Sequence, residues 1–269
     1  MLTHPPPDDE LAALRVEIDR IDAAMHGLLI ERGGIIERLI AIKARQGGGS
    51  AFRPGREAEM MRRLAERHRG PLPLDTVESI WRVIISTFTH LQAPYAVHVA
   101  GPGLEAAMQD SARFHFGFTV PLSRHAGEAD VLAAVQGSAG DLGLLPVRGA
   151  ASGQTPWWAA LAAPGAPRVI ARLPFIERGD HPAGLPVFVL ARPGVAVASR
   201  DVALLCLGGR DAELDEAEGL VARGPGVALV AVPHPEPDVA ARWMANHPDL
   251  TITEIGSHAA RYTFDPPAA

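Results

Sequence analysis

The stretch Leu11-Ala-Ala-Leu-Arg-Val-Glu-Ile-Asp-Arg-Ile-Asp22 repeats an apolar residue every three or four places, and the repeat continues past its end. Leu11, Leu14, Ile18, Ile21, Met25, Leu28, Ile35, Leu39 and Ile42 keep the three-four alternation that makes the seam of a coiled-coil-like helix. Pro5 to Pro7 hold the preceding tail extended, and Asp8-Asp-Glu10 suits the positive N-terminal end of a helix. The helix is expected to stop at the glycines of Gly47-Gly-Gly-Ser50, a local flexible turn. The spacing therefore predicts one helix of roughly forty residues, about 55 Å long at 1.5 Å per residue. A helix of that length cannot bury its stripe inside a domain of about 90 residues, so a second chain is expected against it.

Two shorter helices follow. One begins after Pro54 and carries Arg56, Glu57, Met60, Met61 and Leu64. The other runs from about Asp75 to Gln92 through Val77, Ile80, Trp81, Ile84, Ile85 and Phe88, with Pro71 and Pro73 between the two. Composition changes at Gln92-Ala-Pro94, from a segment dense in basic residues to one rich in Ala, Gly, Pro and Val. This break sets the expected boundary between a helical domain, 1–93, and a second domain, 94–269.

One seam position breaks the apolar rule: it holds Arg32. A long arginine can snorkel from a core edge, but Arg15 and Lys43 also lie beside the seam, on one flank. Arg32 and Lys43 are about 16 Å apart along the axis, within joint reach of a small ligand, while Arg15 is about 25 Å from Arg32. In an antiparallel dimer the partner's Arg15 would approach this chain's Arg32 and Lys43. Arg53, Arg56 and Glu57 on the second helix and Gln92 at the end of the third would complete a composite site. Cations converging in an apolar bundle need an anion, and arginine's planar fork fits carboxylates.

With Leu28-Leu-Ile-Glu-Arg32, Ile42-Lys43, Phe52-Arg-Pro-Gly-Arg-Glu57 and Ile84-Ile85 added to the opening stretch, residues 8–92 resemble the all-helical chorismate mutases. The resemblance implies an all-α three-helix domain in an intertwined homodimer, needing no cofactor, that rearranges chorismate to prephenate in aromatic amino-acid biosynthesis. It implies that the partner's Arg15 and Arg32 bind the carboxylates, that Lys43 holds a carboxylate and the ether oxygen, and that Arg56 belongs to the same cationic surround. Glu57 would accept from the ring hydroxyl, and Gln92 would donate to the ether oxygen, so Lys43, Gln92 and Arg32 carry the catalysis. Two positions depart from the family pattern. Arg53 stands where some members are acidic, and Phe88 stands where a serine often sits.

From Tyr95 on, strands alternate with helices, the pattern of an α/β domain. Strands are expected at Val97–Val99, Asp141–Pro146, Arg168–Leu173, Val187–Ala191, Val202–Leu207, Val227–Val232 and Leu250–Ile255. Helices are expected after Gly103 through Phe116, at Asp130–Gln136, at Glu213–Ala222 and at Asp238–Asn246. Val99-Ala-Gly-Pro-Gly103, Asp130-Val-Leu-Ala-Ala-Val-Gln-Gly137 and Gly140-Asp-Leu-Gly-Leu-Leu-Pro146 resemble the first, periplasmic-binding-like lobe of prephenate dehydratase. Val147-Arg-Gly-Ala150 stands where that family has a Glu-Asn-Ser-type segment, and Leu185-Pro-Val-Phe188 lacks the threonine and arginine of its Thr-Arg-Phe motif. The domain is therefore expected not to dehydrate prephenate. The segment Leu250–Phe264 is similar to the Glu-Ser-Arg-Pro stretch of amino-acid-sensing regulatory domains. Two alternatives stay open: a bifunctional mutase/dehydratase, and a non-catalytic ligand-sensing partner of another shikimate-pathway enzyme.

Gly101-Pro-Gly103 lacks the dinucleotide fingerprint and reads as a strand-to-helix turn, and Trp157-Trp158 reads as packing. The eleven histidines show no zinc spacing, so no metal is expected. A net charge of −6 argues against general nucleic-acid or anionic-membrane binding. A single cysteine, the lack of a basic-apolar leader and the lack of an ~18-residue apolar run lead to the expectation of a cytoplasmic protein.

Overall fold

A computed structural model describes residues 7–45, 52–148, 154–194, 198–210, 214, 217–236 and 238–264; within the first helix its side chains are described from Asp9 to Ile42. The chain forms two compact units, Met1–Gly48 and Gly49–Ala269.

The first unit is the helix α1, Pro7–Arg45. All its described side chains from Asp9 to Glu31 are exposed, including Leu14 at 58% and Leu28 at 65%. The apolar seam thus lies open along most of its length.

In the second unit α2, Pro54–Arg67, starts with proline at a position where a missing N–H costs nothing. Its exposed face is tied by Arg62 and Arg63 to Glu59 and by Arg62 to Glu66, while Ala58, Met61, Leu64 and Ala65 are buried. Helix α3, Leu74–Gln92, follows Pro73 and ends two residues before Pro94. Its buried face is not the purely apolar one that the spacing predicts. Val77 and Ile85 share that face with Glu78, Arg82, Ser86 and Thr89, whereas Trp81, Ile84 and Phe88 are half-buried and Ile80 is exposed.

The α/β part then runs through β1 Val97–Val99, α4 Glu105–Phe116, β2 Leu122–Arg124, α5 Glu128–Gly137, β3 Leu142–Pro146, a 3₁₀ turn Trp157–Ala162, β4 Arg168–Leu173 and β5 Ile176–Glu177. It continues with β6 Val187–Ala191, β7 Val202–Gly208, β8 Leu220–Gly224, β9 Val227–Pro233, α6 Val239–Asn246, β10 Thr251–His258 and β11 Tyr262–Thr263. Nine strands form one mixed sheet in the order β2-β1-β3-β6-β4-β10-β7-β9-β8, and β5 pairs with β11. The end carrying β2, β1 and β3 is parallel, as the strand–helix alternation implies; the half carrying β7, β8 and β9 is antiparallel.

Strands β2, β5 and β11 and the 3₁₀ turn are not among the expected elements, and one expected helix is contradicted. Helix was expected over 213–222, but Leu220–Gly224 is strand β8, turned into β9 by Pro225-Gly226 with Gly226 at φ +65°. Residues 213, 215 and 216 of that expectation lie outside the described residues. Strand β10 meets β4 through a single register pair, Gly256 with Val169. Gly256 sits at φ +148°, and a Cβ there would lie 2.2 Å from the Val169 carbonyl oxygen, so only glycine fits.

The core is continuous across α2, α3 and the sheet. Phe52, Met61, Leu64 and Ile85 share one buried cluster with Phe116 of α4, with Phe175 and with strands β1, β3, β4 and β6. Helices α2 and α3 are therefore packed into the α/β part as one body.

Candidate active site

Arg15 and Arg32 lie on α1, exposed and half-buried respectively. Lys43 is in the last turn of α1, and its side chain lies outside the described residues. The remaining expected ligands belong to the second unit. Arg53 immediately precedes α2 and Arg56 is in its first turn, both exposed. Phe88 and Gln92 end α3, both half-buried, and the Gln92 side-chain amide donates to the Phe88 carbonyl at 3.0 Å.

Glu57 is placed differently from the other polar candidates: it is 4% exposed, on the buried face of α2. Its Oε2 accepts from Nη1 of the fully buried Arg82 at 2.7 Å. Arg82 also donates from Nη2 and Nε to the His115 carbonyl at 3.1 and 3.3 Å, and its guanidinium stands 5.2 Å from the Phe175 ring centroid. Tyr95, the first residue of the α/β part, is buried beside this pair, and among the described residues its hydroxyl has no hydrogen-bond partner. Burial and, second, the Glu57 charge push its phenol above the usual range.

A second buried polar group lies one turn away. Glu78 of α3 is 3.2 Å from Arg178 and 3.3 Å from His181, and the His181 ring stacks on that of His115. Burial, with the Arg82 charge adding to it, holds the His115 imidazole well below its ordinary range, so that ring stays neutral.

The sequence reading missed Arg82, Glu78 and Arg178. A signal was present in the i, i+4, i+8 row Glu78, Arg82, Ser86, which places a polar stripe on one helix face. Also unforeseen is a chain of bonds at the parallel end of the sheet. His98 on β1 stands 3.1 Å from Asp141 through Nε2 and 2.9 Å from His125 through Nδ1. Among the described residues no group of three or more His, Cys, Asp or Glu is arranged to hold a metal ion.

In the α/β part a cleft of about 850 Å³ is lined by Pro102, Glu128, Arg148, Gln154 and Trp157, among others. Arg148 spans it, donating to the Pro102 carbonyl at 3.0 Å and to Glu128 at 2.6 Å. Gly149 and Ala150, in the segment compared with the dehydratase motif, lie outside the described residues. Gly101-Pro-Gly103 is the β1–α4 turn, closed by Leu104 N–H to the Gly101 carbonyl at 2.7 Å, and Trp158 is core. No helix among the described residues is long and apolar enough to cross a membrane.

Comparison with known proteins bears on α1–α3 as a segment. Residues 14–93 match the family model described as chorismate mutase type II. A bifunctional chorismate mutase/prephenate dehydratase from Pseudomonas aeruginosa is 31% identical over 149 residues, 54% of this chain and 40% of the relative. One from Neisseria gonorrhoeae is 34% identical over 110 residues, 41% of this chain and 29% of the relative. Both alignments are longer than the helical part, so the similarity runs on into the α/β part, and the matched lengths span less than half of these relatives. The solved structure of prephenate dehydratase from Streptococcus mutans superposes with a TM-score of 0.42 at 13% identity, covering 63% of this chain and 100% of that one. Residues 14–93 are thus a chorismate mutase type II domain, and an α/β region with a mixed sheet follows it.

Proposed function

We propose that the protein is a chorismate mutase working as an intertwined homodimer. The observation that carries this reading is the family match over 14–93; the resemblance read from the sequence implies Arg15, Arg32, Lys43, Glu57 and Gln92 as its ligands. The partner's Arg15, with Arg32 and Arg56, would hold the two carboxylates of chorismate. Lys43 and Gln92 would bracket the ether oxygen, and Glu57 would accept from the ring hydroxyl. Arg53 and Phe88 would line the same site. The rearrangement is pericyclic and needs neither nucleophile nor cofactor. Holding the chair-like conformer lowers the barrier, and the cations stabilise charge that develops on the ether oxygen as its bond to carbon breaks.

A dimer is supported by the open seam of α1 and by the half-buried strip Trp81, Ile84 and Phe88 of α3, apolar surface of the kind that a second chain covers. On this reading residues 1–93 are the catalytic domain, 94–269 have lost dehydratase chemistry, and the enzyme works in the cytoplasm. The bifunctional relatives favour a second reading, in which prephenate is also dehydrated.

The test is chorismate loss with separation of products, for the intact protein and for Lys43→Ala. Prephenate from the first and none from the second supports the mutase. Phenylpyruvate would establish the second reading. Chorismate left untouched by the folded protein would overturn the first.

A further inference from the structure

We propose that Arg82 is the positioning residue for Glu57, held in place by groups of the α/β region. This rests on the reading that Glu57 accepts from the substrate's ring hydroxyl.

The guanidinium of Arg82 is fixed from three sides. Glu57 takes Nη1, the His115 carbonyl takes Nη2 and Nε, and the Phe175 ring lies against the cation. His115 is in the last turn of α4 and Phe175 precedes β5, so two of the three holds come from the α/β region. Only the third, Glu57, belongs to the mutase domain. A side chain held in this way sets where the Glu57 carboxylate can stand. It occupies Oε2, and among the described residues Oε1 accepts no hydrogen bond, which leaves that oxygen for a substrate hydroxyl.

Stability alone does not account for the pair. A guanidinium and a carboxylate buried among Met61, Ile85 and Phe116 lose their hydration, and apolar residues of similar volume would serve the core as well. Lysine would not replace Arg82, because a point charge cannot serve the carboxylate and the His115 carbonyl from one planar fork.

The experiment is a double-mutant cycle on kcat and KM for chorismate in the full-length protein, with Glu57→Gln, Arg82→Met and the double variant, checked for folding by near-ultraviolet circular dichroism. Each single change is expected to lower kcat/KM by roughly 10- to 100-fold, the loss of one hydrogen bond to a charged group. The double variant should be no worse than the poorer single one, because both remove the same interaction. Multiplying losses would overturn the proposal, as would an Arg82→Met enzyme with wild-type kinetics. If Arg82→Met does not fold, Arg82→Lys replaces it in the same cycle and is read the same way. A harmless Glu57→Gln in an active enzyme overturns the role of Glu57 and this proposal with it, leaving the mutase assignment standing. An inert wild-type protein overturns both together.

Discussion

Replacing Glu78 by alanine should cost about 3–5 kcal/mol of folding stability, the range for breaking a buried ion pair by deleting one partner. The Glu78 side chain is fully buried, 3.2 Å from Nη1 of Arg178 and 3.3 Å from Nε2 of His181. Nδ1 of His181 accepts the Ala183 N–H at 2.9 Å, so the ring proton sits on Nε2 and faces Glu78. Among the described residues deletion leaves Arg178, 6% exposed, with only Asp180, whose side chain is 87% exposed and supports little. Glu78→Gln keeps the volume and an acceptor oxygen and should cost about half as much. Urea unfolding followed by tryptophan fluorescence reads the change, since Trp81 lies on the next turn of α3 and Trp158 is core. With a slope near 3 kcal/mol per molar urea, the midpoint should fall by about 1 M or more. Glu17→Ala, which breaks the exposed Arg20 pair of α1, should leave the midpoint in place. A fall below about 0.3 M for Glu78→Ala would refute the claim that this carboxylate compensates the buried Arg178 guanidinium.

Burial, aided by the Arg172 and Arg261 charges, pulls His258 down to about 4, below the 6.5 of the unfolded chain. On acidification the unfolded chain takes up that proton first, so stability is intact above pH 6.5 and falls by about 3 kcal/mol by pH 4. Denaturation across that window should show the loss, and His258→Gln should flatten it. Burial pushes the Cys206 thiol up to about 11, so iodoacetamide at pH 8 should label the native protein at least about a hundredfold more slowly than the urea-unfolded chain; equal rates would contradict the placement of this thiol. Leu14→Glu combined with Leu28→Glu places charge on the open seam of α1. If that seam joins two chains, sedimentation should show the dimer lost, at about 2 kcal/mol per leucine removed from the interface, and mutase activity lost with it.

The fold was legible where a segment states its own period. The α1 seam and the continuous apolar runs Val187–Ala191 and Val202–Leu207 all stand where their spacing placed them. It was not legible at β8, where Leu214, Ala217 and Val221 mimic a helical spacing and only pairing with β9 makes Leu220–Gly224 extended. The cations of α1 could be picked out because charge on an apolar seam breaks a rule. Arg82 escaped because Glu78 and Arg82, four places apart, read as an ordinary solvent-facing helix pair. Their true partners stand far off in sequence: Arg178 is 100 positions from Glu78, and Glu57 is 25 positions from Arg82. No local pattern contains such a pairing.

The lone Gly256–Val169 pair divides the large sheet into two leaves, one ending at β4 and the other beginning at β10. Each leaf is laced by full ladders, so parting them breaks one register pair and the bond from Arg168 to the Glu254 carbonyl, where dismantling either breaks many. Opening along this seam should therefore precede global unfolding, with amides near 169 and 256 exchanging their hydrogens before those at the centres of β6 and β7. The shape of the α/β region is thus held at its middle by the absence of a methyl group.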